Sequence, residues 1–155
     1  MSIFGIKSLQ MKNGICPTTA VAIRAQASHR SEMTSQLLFG ELFKTEEMHG
    51  EWTLIRTEWG EYTGYVHSAQ VMFLEDDLFR LLQKARRHHT SSLISQTTAG
   101  ETVINLSAGS TLYSFRSSEK EFPYPEFLLK EHDPHNDNGR KTVVANAARF
   151  LGCPY

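Results

Sequence analysis

Trp52-Thr53-Leu54-Ile55-Arg56-Thr57, a turn at Gly60-Glu61, and then Tyr62-Thr63-Gly64-Tyr65-Val66 decide the fold class of this chain. The first stretch alternates in burial type, as a half-buried strand does, and the second is another strand across a glycine turn. Working outward, Val21-Ala22-Ile23-Arg24 reads as a short strand and Ser28 to Gln36 as a polar loop. Leu37 to Lys44 reads as a strand with a turn at Gly40. Short strands separated by glycine or polar turns indicate a small β barrel over residues 18–72.

The period then changes. Glu75-Asp76-Asp77 supplies acidic helix-start residues, and Leu78, Leu81, Leu82 and Ala85 follow at helical spacing. This predicts a linker helix of about three turns. Arg86-Arg87-His88-His89 reads as its basic end, where cations suit the helix dipole. Thr102 to Leu106, Leu112 to Phe115 and Phe127 to Leu129 return to β character, and Asp133 to Asn138 is a polar linker. In Thr142 to Leu151, the positions Val143, Val144, Ala147, Phe150 and Leu151 share one helical face, and Gly152 and Pro154 stop the run. The expected fold class is mainly β. A barrel occupies 1–72, a linker helix 73–89, a second and less regular β module 90–138, and 139–155 opens a further domain.

Composition excludes several functions. The chain has 155 residues, 40% hydrophobic, with a net charge of -1. That balance gives no basic stripe for nucleic acid, and no segment approaches the ~20 apolar residues of a membrane span. The N-terminus lacks a basic region followed by an apolar core, so no secretory leader is visible. The expected location is the cytoplasm, or the cell envelope if a leader has been removed. Cys16 and Cys153 do not make a disulfide framework. His88-His89 and the His132/His135 pair lack the ligand spacing of a zinc enzyme. No metal and no cofactor are expected.

The barrel stretch resembles a bacterial SH3 domain of the type fused to NlpC/P60 cysteine peptidases. The resemblance rests on Val21 to Arg24, on Ser28 to Glu41 (with Ser31-Glu32-Met33-Thr34-Ser35-Gln36-Leu37-Leu38-Phe39-Gly40-Glu41 its most specific part), on Glu51-Trp52, and on Tyr62 to Val66. Relatives usually carry Trp where Tyr65 stands. Residues 100–130 look like the second SH3-like module of the same enzymes. Phe150-Leu151-Gly152-Cys153-Pro154-Tyr155 resembles the opening of their papain-like α+β catalytic domain, ahead of its Asp-Cys-Ser nucleophile motif. The resemblance implies enzymes that cut the γ-D-glutamyl to diamino-acid bond of murein stem peptides.

On that basis this stretch of chain is expected to be inactive alone. Cys153 occupies the variable position of the turn and follows a helix C-terminus, where the dipole disfavours a thiolate. Cys16, ahead of Pro17 in an apolar segment, reads as a buried structural cysteine. In related enzymes the first SH3 module walls off one end of the substrate groove and selects peptides with a free N-terminal amine. A closed pocket for an ammonium needs a carboxylate and acceptors. Glu32 is the candidate carboxylate, Tyr62 or Tyr65 the phenolic partner, and Arg30 and Ser31 flank the site. The expected partners are such a muramyl or stem peptide and the chain's own catalytic domain. Trp52 and one of the two tyrosines are expected in the core, and Trp59 exposed beside Gly60. The alternative is a stand-alone SH3-type module that binds peptidoglycan.

Overall fold

The structure, a computed structural model, describes residues 12–92, 94–99 and 102–114, together with Ala148. The expected strand at Phe127, the linker after it, His132, His135, the terminal helix apart from Ala148, and Cys153 lie outside the described residues. Strands β1 (Gly14–Ile15), β2 (Ala20–Arg24), β3 (Met33–Leu38), β4 (Leu42–His49), β5 (Trp52–Thr57), β6 (Thr63–His67) and β7 (Met72–Phe73) come first. They form one antiparallel sheet in the order β3-β2-β6-β5-β4-β1-β7. Helix α1 (Asp76–Lys84) comes next, then β8 (Arg86–His89), β9 (Ile94–Ala99), β10 (Thr102–Ser107) and β11 (Thr111–Ser114). β9 pairs antiparallel with β10, and β8 with β11. The described chain is mainly β, of the SH3-like kind expected.

The alternation in β5 has the opposite phase from the one expected for its tryptophan. Thr53, Ile55 and Thr57 are buried, which turns Trp52 to the outer face as a half-buried residue. β6 behaves alike: Gly64 and Val66 point inward, so Tyr65 is outward and Tyr62 lies exposed ahead of the strand. Neither Trp52 nor either tyrosine belongs to the core. Gly64 takes the inward place because β2 crosses close by. A Cβ there would lie 2.5 Å from Ile23 Cγ2 and 2.8 Å from the Arg24 carbonyl oxygen.

Two other boundaries differ from expectation. The polar stretch Ser28–Gln36 is a loop only as far as Glu32, because Ser35 and Gln36 pair with Ile23 and Ala22 across β2. β3 is an edge strand with one solvated face, so polar side chains suit it. The helix spans Asp76–Lys84 rather than 73–89. Asp76 and Asp77 occupy its first turn, Lys84 its last, and Phe79 and Leu82 its buried side. Arg86–His89 is a strand, not a basic helix end, because Thr111–Ser114 offers a pairing edge. Tertiary pairing here overrides local propensity.

Among the described residues, two apolar clusters hold the fold. One lies within the seven-stranded sheet and includes Cys16, Ile23, Leu37, Phe43, Ile55 and Val66. The other joins Ile15 and Leu42 of the sheet, and Phe39 of the turn between β3 and β4, to Phe79 and Leu82 of α1 and to Leu106, Leu112 and Tyr113. The segment after residue 90 therefore shares a core with the barrel. The junction is a clasp at Gly40, whose φ is +78°. Thr111 N donates to Phe39 O at 2.7 Å, and the buried Tyr113 hydroxyl donates to Gly40 O at 2.8 Å. A Cβ on Gly40 would stand 1.9 Å from Thr111 O, so β11 needs a glycine beneath it.

Candidate substrate-positioning site

The loop between β2 and β3 carries Arg30, Ser31 and Glu32, and its own hydrogen bonds shape it. Ala25 N donates to Glu32 O at 3.0 Å and closes the base. Arg24 Nη1 donates to Ser31 O at 2.7 Å, and Gln26 N donates to Ser31 Oγ at 2.9 Å. Ser31 N donates to Ser28 O at 3.1 Å, and Arg30 N to Ser28 Oγ at 3.2 Å. Ser31 thus organises the loop, while Arg30 and Glu32 project as exposed side chains. Glu32 has no side-chain partner among the described residues.

Rings fasten the same loop to the outer face of the sheet. His29 sits edge-on to Trp52 at 4.8 Å between centroids and stacks on His67 at 5.1 Å. Trp52 and His67 meet edge-on at 5.3 Å, completing a triangle of rings. Tyr65 meets His49 edge-on at 5.5 Å. Arg24, whose guanidinium holds Ser31, is the register partner of Tyr65. The structure therefore brings Ser31, Arg24 and Tyr65 into one neighbourhood, with Glu32 at the loop base.

Tyr62 belongs to the turn between β5 and β6, where Gly60 and Glu61 both have positive φ (72° and 52°). Thr57 Oγ1 ties this turn, donating to Trp59 O at 2.6 Å and accepting from Tyr62 N at 3.1 Å. The turn displays Trp59 at 58% and Tyr62 at 56% exposure, as expected for Trp59. On the far side, Glu58 accepts from Gln83 Nε2 of α1 and from Arg87 Nη2 of β8 at 2.9 Å. That ion pair is largely buried, with 13% and 23% of the two side chains exposed, and it anchors the turn to the helix.

Cys16 suits a structural role, as its sequence context predicts. It is fully buried, and its thiol lies 3.3 Å from Thr18 O and 3.7 Å from Leu37 O. Burial pushes its pKa up to about 11, the reverse of what a nucleophile needs.

Sequence reasoning passes over His29, His67 and His49. Parity holds the signal: His67 is two residues beyond Tyr65 and so shares its face. The Glu58–Arg87 pair leaves no trace, since its partners lie on elements whose packing no local pattern reveals.

Residues 23–71 match the family model described as the bacterial dipeptidyl-peptidase Sh3 domain. The whole loop, β5, the turn and β6 fall inside that match. Among solved structures, the chain is similar to a novel NlpC/P60 endopeptidase from Photobacterium damselae subsp. piscicida, with a TM-score of 0.54 and 15% identity. The similarity covers 68% of this chain and 27% of that one, so the chain spans about a quarter of the enzyme. At that identity the likeness is one of fold. No curated protein matches the chain.

Proposed function

We propose that this chain is the substrate-positioning region of a cell-wall peptide endopeptidase, with the chemistry residing in a catalytic domain of the same gene product. The substrate is a murein stem peptide with a free N-terminal amine, cut at its γ-D-glutamyl to diamino-acid bond. Glu32 receives the ammonium, Tyr65 or Tyr62 supplies a phenolic acceptor, and Arg30 and Ser31 border the site. The observation that carries this reading is the state of Glu32. Its carboxylate is exposed and uncommitted, on a loop whose main chain is closed by Ala25 N and pinned through His29. A ligand meeting such a loop need not order it, which removes one cost of binding. The match to the bacterial dipeptidyl-peptidase Sh3 domain over this segment supports the reading.

The test is kinetic, on the complete gene product. Glu32→Ala should raise KM for free-amine stem peptides about tenfold or more, the loss of a charge-assisted contact of about 2 kcal/mol. N-acetylated peptides should be poor substrates for both proteins and insensitive to the substitution. Unchanged kinetics would remove Glu32 from the site. Tight binding of peptidoglycan fragments by the chain alone would move the reading to a stand-alone wall-binding module.

A further inference from the structure

Lys44 and Arg56 face each other across β4 and β5 as direct register partners. Like charges so placed repel, and a sheet retains them only where something offsets the cost. Arg56 has a counterion, since its Nε donates to Glu46 Oε1 at 2.7 Å and its Nη2 donates to the same oxygen. Lys44 is exposed and has no partner among the described residues. Both open onto a cleft of about 420 Å³, completed by the turn after β5 and by Arg87. That volume lies in the range of small-ligand sites.

The hydrogen-bonding capacity of the cleft is lopsided. Glu58 commits one carboxylate oxygen to Gln83 and the other to Arg87. The Thr57 hydroxyl is occupied within its own turn. Glu61, exposed at the rim, is the lining acid that keeps free acceptors among the described residues. Against it stand the three donors of Lys44, the Nη1 of Arg56, and the Nε and Nη1 of Arg87, none with a partner among the described residues. Trp59 adds an apolar wall, and its ring meets His89 edge-on at 6.0 Å.

We propose that this cleft binds the carboxylate of a peptide, with the flanking residue resting on Trp59. Surplus donors select an anion, with the Lys44 ammonium and the free guanidinium N–H groups of Arg56 and Arg87 each able to give a single charge-assisted bond. This second site does not rest on the amine site at Glu32, and a peptide with a blocked amine separates the two.

The experiment is a titration of the ¹⁵N-labelled chain with N-acetyl-alanyl-alanine and with its C-terminal amide, read at the Trp59 indole N–H. The acid form should shift that signal and bind about tenfold or more tightly than the amide. Lys44→Gln should weaken the acid about tenfold, bringing it towards the amide, while Glu32→Ala leaves both unchanged. Lys44→Gln also relieves the cross-strand repulsion, so this variant should fold at least as stably as the parent. Equal binding of acid and amide, or no Trp59 shift at millimolar peptide, would overturn the proposal. So would displacement by equimolar inorganic phosphate, which would make the cleft a phosphate site.

Discussion

Gly64 shows how a single position constrains the barrel. Its missing Cβ lets β2 lie against β6, with Ile23 Cγ2 and Arg24 O inside the distance any side chain would need. Gly64→Ala should therefore cost about 2–3 kcal/mol through forced separation of the strands, measured as a lower urea midpoint. Gly50, at φ +60° with nothing within 4 Å of its would-be Cβ, is constrained by backbone conformation alone. Gly50→Asn should cost only a few tenths of a kcal/mol, because asparagine tolerates that conformation. Cys16 makes a pH prediction. Its thiol is raised from 9.0 to about 11 by burial, so the folded state keeps its proton where the unfolded chain releases it. The resulting stability is fully present below pH 9 and is lost as pH rises from 9 towards 11. Tyr113, also raised by burial, acts in the same direction at higher pH. Thermal melts between pH 8 and 10 should fall, and less steeply in Cys16→Ala. Equal slopes would mean the thiol is hydrated in the folded state.

Among the elements, the loop between β2 and β3 has the clearest dynamic signature. Three of its hydrogen bonds run through Ser31, and its seat on the sheet depends on the His29 ring. His29→Ala should leave the core intact but speed hydrogen exchange of residues 25–32 about tenfold, with β5 unaffected. If exchange in the loop is unchanged, the hydrogen bonds alone hold it. The loop's chemistry is legible in the sequence, because small polar residues ahead of Leu37-Leu38-Phe39-Gly40 announce a turn-rich segment before a strand. Its attachment is not, because a stacking contact between His29 and His67 joins residues 38 positions apart. The helix is legible from Leu78, Leu81 and Leu82, but its end is not. Arg86 to His89 carry no strand signal of their own and become a strand through β11. Trp52 departs from expectation for a related reason: alternation reveals a two-sided strand, but which side is inner depends on the smaller Thr53 and on what covers the indole.

At the scale of the whole molecule, several long-range ties join the barrel to the strands beyond α1, among them the Thr19 hydroxyl donating to Asn105 O at 2.6 Å. Two more are the Glu58–Arg87 pair and the clasp of Tyr113 and Thr111 over Gly40. Arg87→Ala leaves a largely buried carboxylate short of its cation and should cost about 2–3 kcal/mol in urea unfolding. Tyr113→Phe removes one buried donor and should cost about 1 kcal/mol or somewhat more. Because Phe39 and Leu42 share a cluster with Leu106 and Leu112, the described residues should unfold in one transition in the parent protein. The division into separate modules at 72 and 90 reflects a real change of periodicity. It does not mark a change of core, because shared burial between distant segments leaves no local signal.

The clasp also sets a schedule for biosynthesis. Tyr113 meets the Gly40 carbonyl across 73 positions of chain. When β7 leaves the ribosome, Phe39 and Leu42 have Ile15 in their cluster; α1 brings Phe79 and Leu82 within about ten residues, but about forty more must be made before Tyr113 completes the cover. At ordinary elongation speeds that gap lasts roughly 2 to 8 s. During those seconds the apolar cluster is only partly closed, and a product stalled before Leu106 would keep that gap and be the more prone to aggregate.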